Sequence, residues 1–193
     1  GSTWKEADVV MEDIIGEPLS DFVLRTGLSK QEMAVAEEKL KQTEYTQPAM
    51  LTADLAIERL LNQHGIHPDM VAGHSLGEYA ALMVSGILRF EDALRAAAAR
   101  GTEMGSVEVP DKGIMASITA PFEDIEKVLK SVDGYVIAAN KNSPTMTVIA
   151  GETEPMREAM RLFEESGAMV VQLQTSHAFH SRIVAPANEP LRR

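Results

Sequence analysis

From residue 3 to residue 104, apolar positions recur three and four apart, the rhythm of helices with one buried face. Thr3-x-x-Glu6 has the capping-box spacing and predicts a helix to about Ile15, ended by Gly16 and Pro18. Ser29-x-x-Glu32 repeats the pattern and predicts a helix to about Lys41. Gln47-Pro48 predicts the start of a third helix, ended by Gly65 and Pro68. Its Ala49, Ala53, Ala56, Ile57, Leu60 and Leu61 share a face that should be buried. The short apolar stretch Met70-Val71-Ala72 reads as a buried strand. An alanine-rich amphipathic helix follows from about Glu91 to Met104.

After Pro110 the rhythm changes. Gly113 to Thr119 reads as a strand, Phe122 to Val132 as a helix, and Tyr135 to Asn140 and Thr145 to Gly151 as strands. Asn142-Ser143-Pro144 joins the last two as a turn. Thr153 to Gly167 reads as a helix and Ala168 to Thr175 as a closing strand. The order βαββαβ is that of a ferredoxin-like unit. The expected fold is therefore α/β. A hydrolase-like three-layer lobe over residues 1–111, to which residues 176–193 return, carries an inserted ferredoxin-like subdomain over 112–175.

Between the third helix and the alanine-rich one stands Gly73-His74-Ser75-Leu76-Gly77, with the expected strand before it and helical residues after it. Gly-x-Ser-x-Gly in that setting is a nucleophile elbow. A serine that attacks a carbonyl must stand exposed at the tip of a tight turn, and flanking glycines let neighbouring backbone pass close. The following amide, that of Leu76, then faces the oxygen that becomes negative, aided by the helix N-terminus.

Such a serine needs a base. The chain has five histidines. His64 and His67 flank a loop glycine and should be solvated, and His74 is expected to pack beneath the elbow. That leaves His177-Ala-Phe-His180, just after the last expected strand. Its His-x-x-His spacing also admits a metal pair, but no nearby carboxylate completes a ligand set.

Composition removes several function classes. The chain carries 29 acidic against 18 basic residues, a net charge of −11, which argues against a nucleic-acid partner. No apolar run approaches the roughly 18 residues of a membrane helix, and no signal pattern opens the chain, so a cytoplasmic location without membrane association is expected. Cysteine is absent, which excludes disulfides and thiol catalysis. Gly1-Ser2 reads as a cleavage scar.

These residues together resemble the malonyl-CoA:acyl-carrier-protein transacylase family, in particular the acyltransferase domains of polyketide and polyunsaturated fatty acid synthases. The matching stretches are Tyr45-Thr46-Gln47-Pro48-Ala49, Gly73-His74-Ser75-Leu76-Gly77-Glu78-Tyr79, Arg100-Gly101, Gly113-Ile114-Met115-Ala116, Asn140-x-Asn142-Ser143-Pro144 and Ser176-His177-Ala178-Phe179-His180-Ser181. They span essentially the whole chain in the family's order. The resemblance implies Ser75 as nucleophile, His180 as base and Arg100 as the group that binds the malonyl carboxylate. It implies a coenzyme A thioester as substrate with no bound cofactor or metal, and as partners an acyl carrier protein and neighbouring synthase domains. It associates Leu76 and the HAFH segment, with its bulky Phe179, with malonyl rather than methylmalonyl selection. It also implies a core truncated at both ends, with a second oxyanion donor expected before residue 1. Two other readings use the same residues: a serine esterase or thioesterase, and a catalytically idle structural module of a larger synthase.

Overall fold

The computed structural model describes residues 1–192. The chain divides into two compact units, Gly1–Gly105 and Ser106–Arg193. The fold is mixed α/β, with one small antiparallel sheet among the described residues.

The first unit is helical: α1 (Ser2–Ile15), α2 (Ser20–Val23), α3 (Lys30–Leu40), α4 (Thr43–Gln63), α5 (Gly77–Val84) and α6 (Phe90–Gly105). Ala7, Val10, Leu51, Leu55, Met83, Ala93, Leu94 and Ala97 form its main core, against which Leu76, Tyr79 and Ala80 pack. The run of small residues on α6 lets α4 approach closely.

Ser29 caps α3 as expected: its hydroxyl accepts from the Glu32 amide, and the Glu32 carboxylate accepts from the Ser29 amide at 2.9 Å. Thr3 and Glu6 do not form the expected box. The helix starts before them, Thr3 is buried, and both accept from Arg59 of α4, Glu6 through both carboxylate oxygens at 2.9 Å. Arg59 thus takes both side chains that the local box would have used.

α4 starts at Thr43 rather than at Gln47-Pro48, which leaves Pro48 inside it. The earlier start is fixed by tertiary contact, because the Thr43 hydroxyl donates to the Gly101 carbonyl at 2.6 Å. The expected apolar face of this helix is only half buried. Ala49 is buried, but Ile57, Leu60 and Leu61 are exposed. Met70-Val71-Ala72 is not a strand, and Met70 is 88% exposed. A strand requires a hydrogen-bonded neighbour, and the described residues of this unit form none.

The second unit follows the predicted order: β1 (Ile114–Thr119), α7 (Phe122–Ser131), β2 (Val136–Ser143), β3 (Met146–Gly151), α8 (Thr153–Glu165) and β4 (Met169–Gln172), then a 3-10 turn (Arg182–Ala187) and α9 (Asn188–Leu191). The strands lie in the order β2-β3-β1-β4, with every neighbouring pair antiparallel. That is the ferredoxin-like arrangement. β2 reaches Ser143, so Pro144-Thr145 alone makes the turn into β3. One sheet face packs Ala116, Ile118 and Ile149 against Ile125 of α7 and Met156, Ala159 and Phe163 of α8. The other packs Met115, Val148 and Ala150 against Ala178 and Ile183. Coverage of both faces explains why β3 is buried from Thr147 to Gly151.

Asp111 pins this unit at the start of α8. Its carboxylate accepts from the Thr153 hydroxyl at 2.6 Å, the Thr153 amide at 2.7 Å and the Gly113 amide at 2.8 Å. These bonds, led by the Thr153 hydroxyl, hold the Asp111 carboxyl below the usual aspartate range. A depressed folded value contributes stability above the unfolded value of about 3.9, and the contribution is lost as pH falls through the folded value. Asp111→Asn is therefore expected to cost about 1 kcal/mol near neutrality. In thermal melts of parent and variant the difference should shrink below about pH 4. A difference that stays constant down to the acid limit would refute the assignment.

Candidate active site

Glycine at residue 73 permits the turn that carries Ser75. A Cβ there would lie 2.0 Å from the Gly77 carbonyl oxygen and 2.3 Å from the Glu78 nitrogen, so only glycine lets the incoming chain pass the start of α5. Gly77 is different, since a Cβ there meets nothing within 4 Å. The turn closes through Gly77 N–H to the His74 carbonyl at 2.9 Å and Glu78 N–H to the Ser75 carbonyl at 3.1 Å. Leu76 then caps α5 from a helical conformation, with its side chain packed on the core. His74 is exposed rather than packed beneath the turn. Met70 to Gly73, which lead into the elbow, are themselves exposed, so among the described residues the turn gives the ring no buried face.

Ser75 sits at φ +55° and His180 at φ +56°. Among the described residues these are the only non-glycine residues with positive φ. Such backbone is costly for residues with side chains, and it clusters at functional positions.

Arg100 comes to the serine from α6. Its Nη2 donates to Ser75 Oγ at 3.2 Å, and its Nη1 donates to Gln47 Oε1 on α4 at 2.6 Å. Its position depends on the neighbouring Gly101, where a Cβ would lie 2.4 Å from the Thr43 carbonyl oxygen, in the tight crossing of α4 and α6. The structure thus brings Ser75, Leu76 and Arg100 into one cluster. It adds Gln47, a buried residue that entered the sequence pattern only as a helix start and as part of a matching stretch, with no chemical role. A polar side chain among the buried positions Pro48, Ala49 and Leu51 was the available signal.

Phe179 and His180 belong to the second unit. His177, the first histidine of the segment, is fully buried, with Nε2 3.0 Å from the Val107 carbonyl and Nδ1 3.1 Å from Ser176 Oγ. It anchors the segment, and the exposed ring is that of His180. Phe179 is half buried, its ring 6.2 Å from that of His177 and packed against the Met115–Ala178 cluster. Asn140 and Asn142 lie on β2. His64 and His67 are exposed, and His67 Nδ1 lies 2.9 Å from Asn62 Oδ1. Among the described residues no group of three or more His, Asp or Glu side chains could hold a metal ion. No helix among them is long and apolar enough to cross a membrane.

Residues 2–193 match the acyl transferase domain family. The chain belongs to that family. This acyl transferase chain is 36% identical over 178 residues to the malonyl CoA-acyl carrier protein transacylase of Bacillus subtilis, covering 90% of the chain and 56% of that protein. It is 33% identical over 194 residues to polyketide synthase GfsA of Streptomyces halstedii, covering the whole chain and 2% of the synthase. Among solved structures it is similar to a malonyl-transacylase in complex with a type II polyketide synthase acyl-carrier protein, at TM-score 0.82 and 34% identity. There it covers 99% of this chain and 60% of that one. The acyl transferase chain therefore spans little more than half the length of the transacylases it matches, and a small fraction of the synthase.

Proposed function

We propose that the protein moves a malonyl or related acyl group from coenzyme A, through an ester on Ser75, to the phosphopantetheine thiol of an acyl carrier protein. The observation that carries this reading is the Arg100 guanidinium 3.2 Å from Ser75 Oγ, a cation set beside the nucleophile where the carboxylate of a tethered malonyl group needs one. Relatives named as malonyl transacylases and polyketide synthases support it.

In the first step His180 takes the Ser75 hydroxyl proton as the oxygen attacks the thioester carbonyl. The Leu76 amide stabilises the oxyanion. The carbon–sulfur bond breaks, coenzyme A leaves with the proton held by His180, and the malonyl carboxylate rests on Arg100. In the second step the carrier thiol gives its proton to His180, and its sulfur attacks the ester. Ser75 then leaves and regains the proton. Phe179 crowds an α-methyl group, a discrimination of about 1–3 kcal/mol. The substrate is the coenzyme A thioester itself, and the working location is the cytoplasm.

Intact-protein mass spectrometry tests the reading. Brief incubation with malonyl-CoA should give a malonyl adduct that moves to an added phosphopantetheinylated carrier protein. Release of free malonate without carrier loading would instead identify a thioesterase. No adduct and no transfer would indicate a catalytically idle module.

A further inference from the structure

We infer that Gln47 is a positioning residue that fixes the Arg100 guanidinium for selecting acyl groups that end in a carboxylate, an inference that rests on the role proposed for Arg100. Gln47 is 5% exposed. Its side-chain oxygen accepts from Arg100 Nη1 at 2.6 Å, and its nitrogen lies 3.9 Å from Met104 Sδ, one helical turn beyond Arg100 on α6. The amide therefore has one workable orientation. Turned over, it would set its NH₂ donors against a guanidinium that has only donors.

Gln47 is itself held in place. It lies one turn after Thr43 on α4, where the Thr43 hydroxyl bonds the Gly101 carbonyl. The same helix crossing thus fixes Arg100 and its partner. One edge of the guanidinium is tied to Gln47 and the other reaches Ser75, so the plane of the fork is set before any acyl group arrives. Preset geometry removes part of the ordering cost of binding.

A neutral acceptor suits this task better than an acidic one. A carboxylate at position 47 would hold Arg100 equally well but would neutralise it and repel the malonyl carboxylate. Among the described residues no acidic side chain pairs with Arg100. Its positive charge thus remains available to the substrate.

The test is the ratio of kcat/KM for malonyl-CoA over acetyl-CoA in forming the acyl-serine. It is measured for the parent, Gln47→Met, Gln47→Glu, Arg100→Ala and the Gln47→Met/Arg100→Ala double variant. Loss of folded protein lowers both rates and cancels in the ratio. Gln47→Met, of similar size without the acceptor, is expected to lower the ratio roughly tenfold. Gln47→Glu, which keeps an acceptor, should lower it at least as far. In the Arg100→Ala background Gln47→Met should change nothing further, the mark of two residues acting as one unit. If Arg100→Ala collapses the ratio but Gln47→Met does not, the inference fails and the role of Arg100 stands. If Arg100→Ala leaves the ratio unchanged, the role of Arg100 itself is wrong. A parent that forms no acyl-serine from either thioester overturns the acyl transfer reading as well.

Discussion

Ser75→Ala is expected to abolish the malonyl adduct altogether, whereas His180→Ala should slow its formation by about 10²–10⁴ without preventing it. The asymmetry follows from the roles. Without the Ser75 oxygen no ester can form, however long the incubation. Without His180 the serine keeps its oxygen, its turn and the Arg100 contact at 3.2 Å, and loses only the proposed proton acceptor. Time-resolved mass spectrometry separates the cases. The His180 variant should accumulate adduct over hours, and the Ser75 variant none. An adduct on Ser75→Ala would place the nucleophile elsewhere, and a His180→Ala rate equal to the parent's would remove the proposed base.

Gly73→Ala is expected to destroy the elbow, at a cost of about 3 kcal/mol or more, while Gly77→Ala is expected to fall within about 0.5 kcal/mol of the parent. At Gly73 the added carbon would lie 2.0 Å and 2.1 Å from the Gly77 carbonyl oxygen and carbon. These are backbone atoms at the start of α5 and cannot swing aside as a flexible side chain would. Relief requires the turn to open, which displaces Ser75 from Arg100. At Gly77 the added carbon meets nothing within 4 Å, and alanine favours helix. Thermal unfolding, with acylation by malonyl-CoA as second readout, checks both. A Gly73→Ala protein that melts and acylates like the parent would show that the close approach does not hold in solution.

Where element type was legible, burial and local signals agreed. The helix and strand order after Pro110 was readable because one sheet face packs on two amphipathic helices and the other on Ala178 and Ile183, so α7 and α8 show a plain helical period and the strands between them are short, mostly apolar stretches. Ser29 capped its helix as its spacing predicts, because Glu32 reaches the Ser29 amide with one carboxylate oxygen while Arg25 pairs with the other. Thr3, Glu6 and Pro48 misled for the opposite reason. Arg59 captures the first two, and the Thr43–Gly101 bond draws α4 four residues upstream of its sequence signal. Met70-Val71-Ala72 misled because apolar composition marks a candidate strand but cannot supply its neighbour.

The sequence by itself determined the elbow, the candidate nucleophile and the βαββαβ order, because these depend on glycine spacing and short-range periodicity. The tertiary structure alone decided that the Arg100 side chain reaches Ser75 and that Gln47 is its partner. Both side chains become informative only when α4 and α6 cross at Gly101. That crossing joins residues 53 positions apart, and no pattern within either helix encodes it.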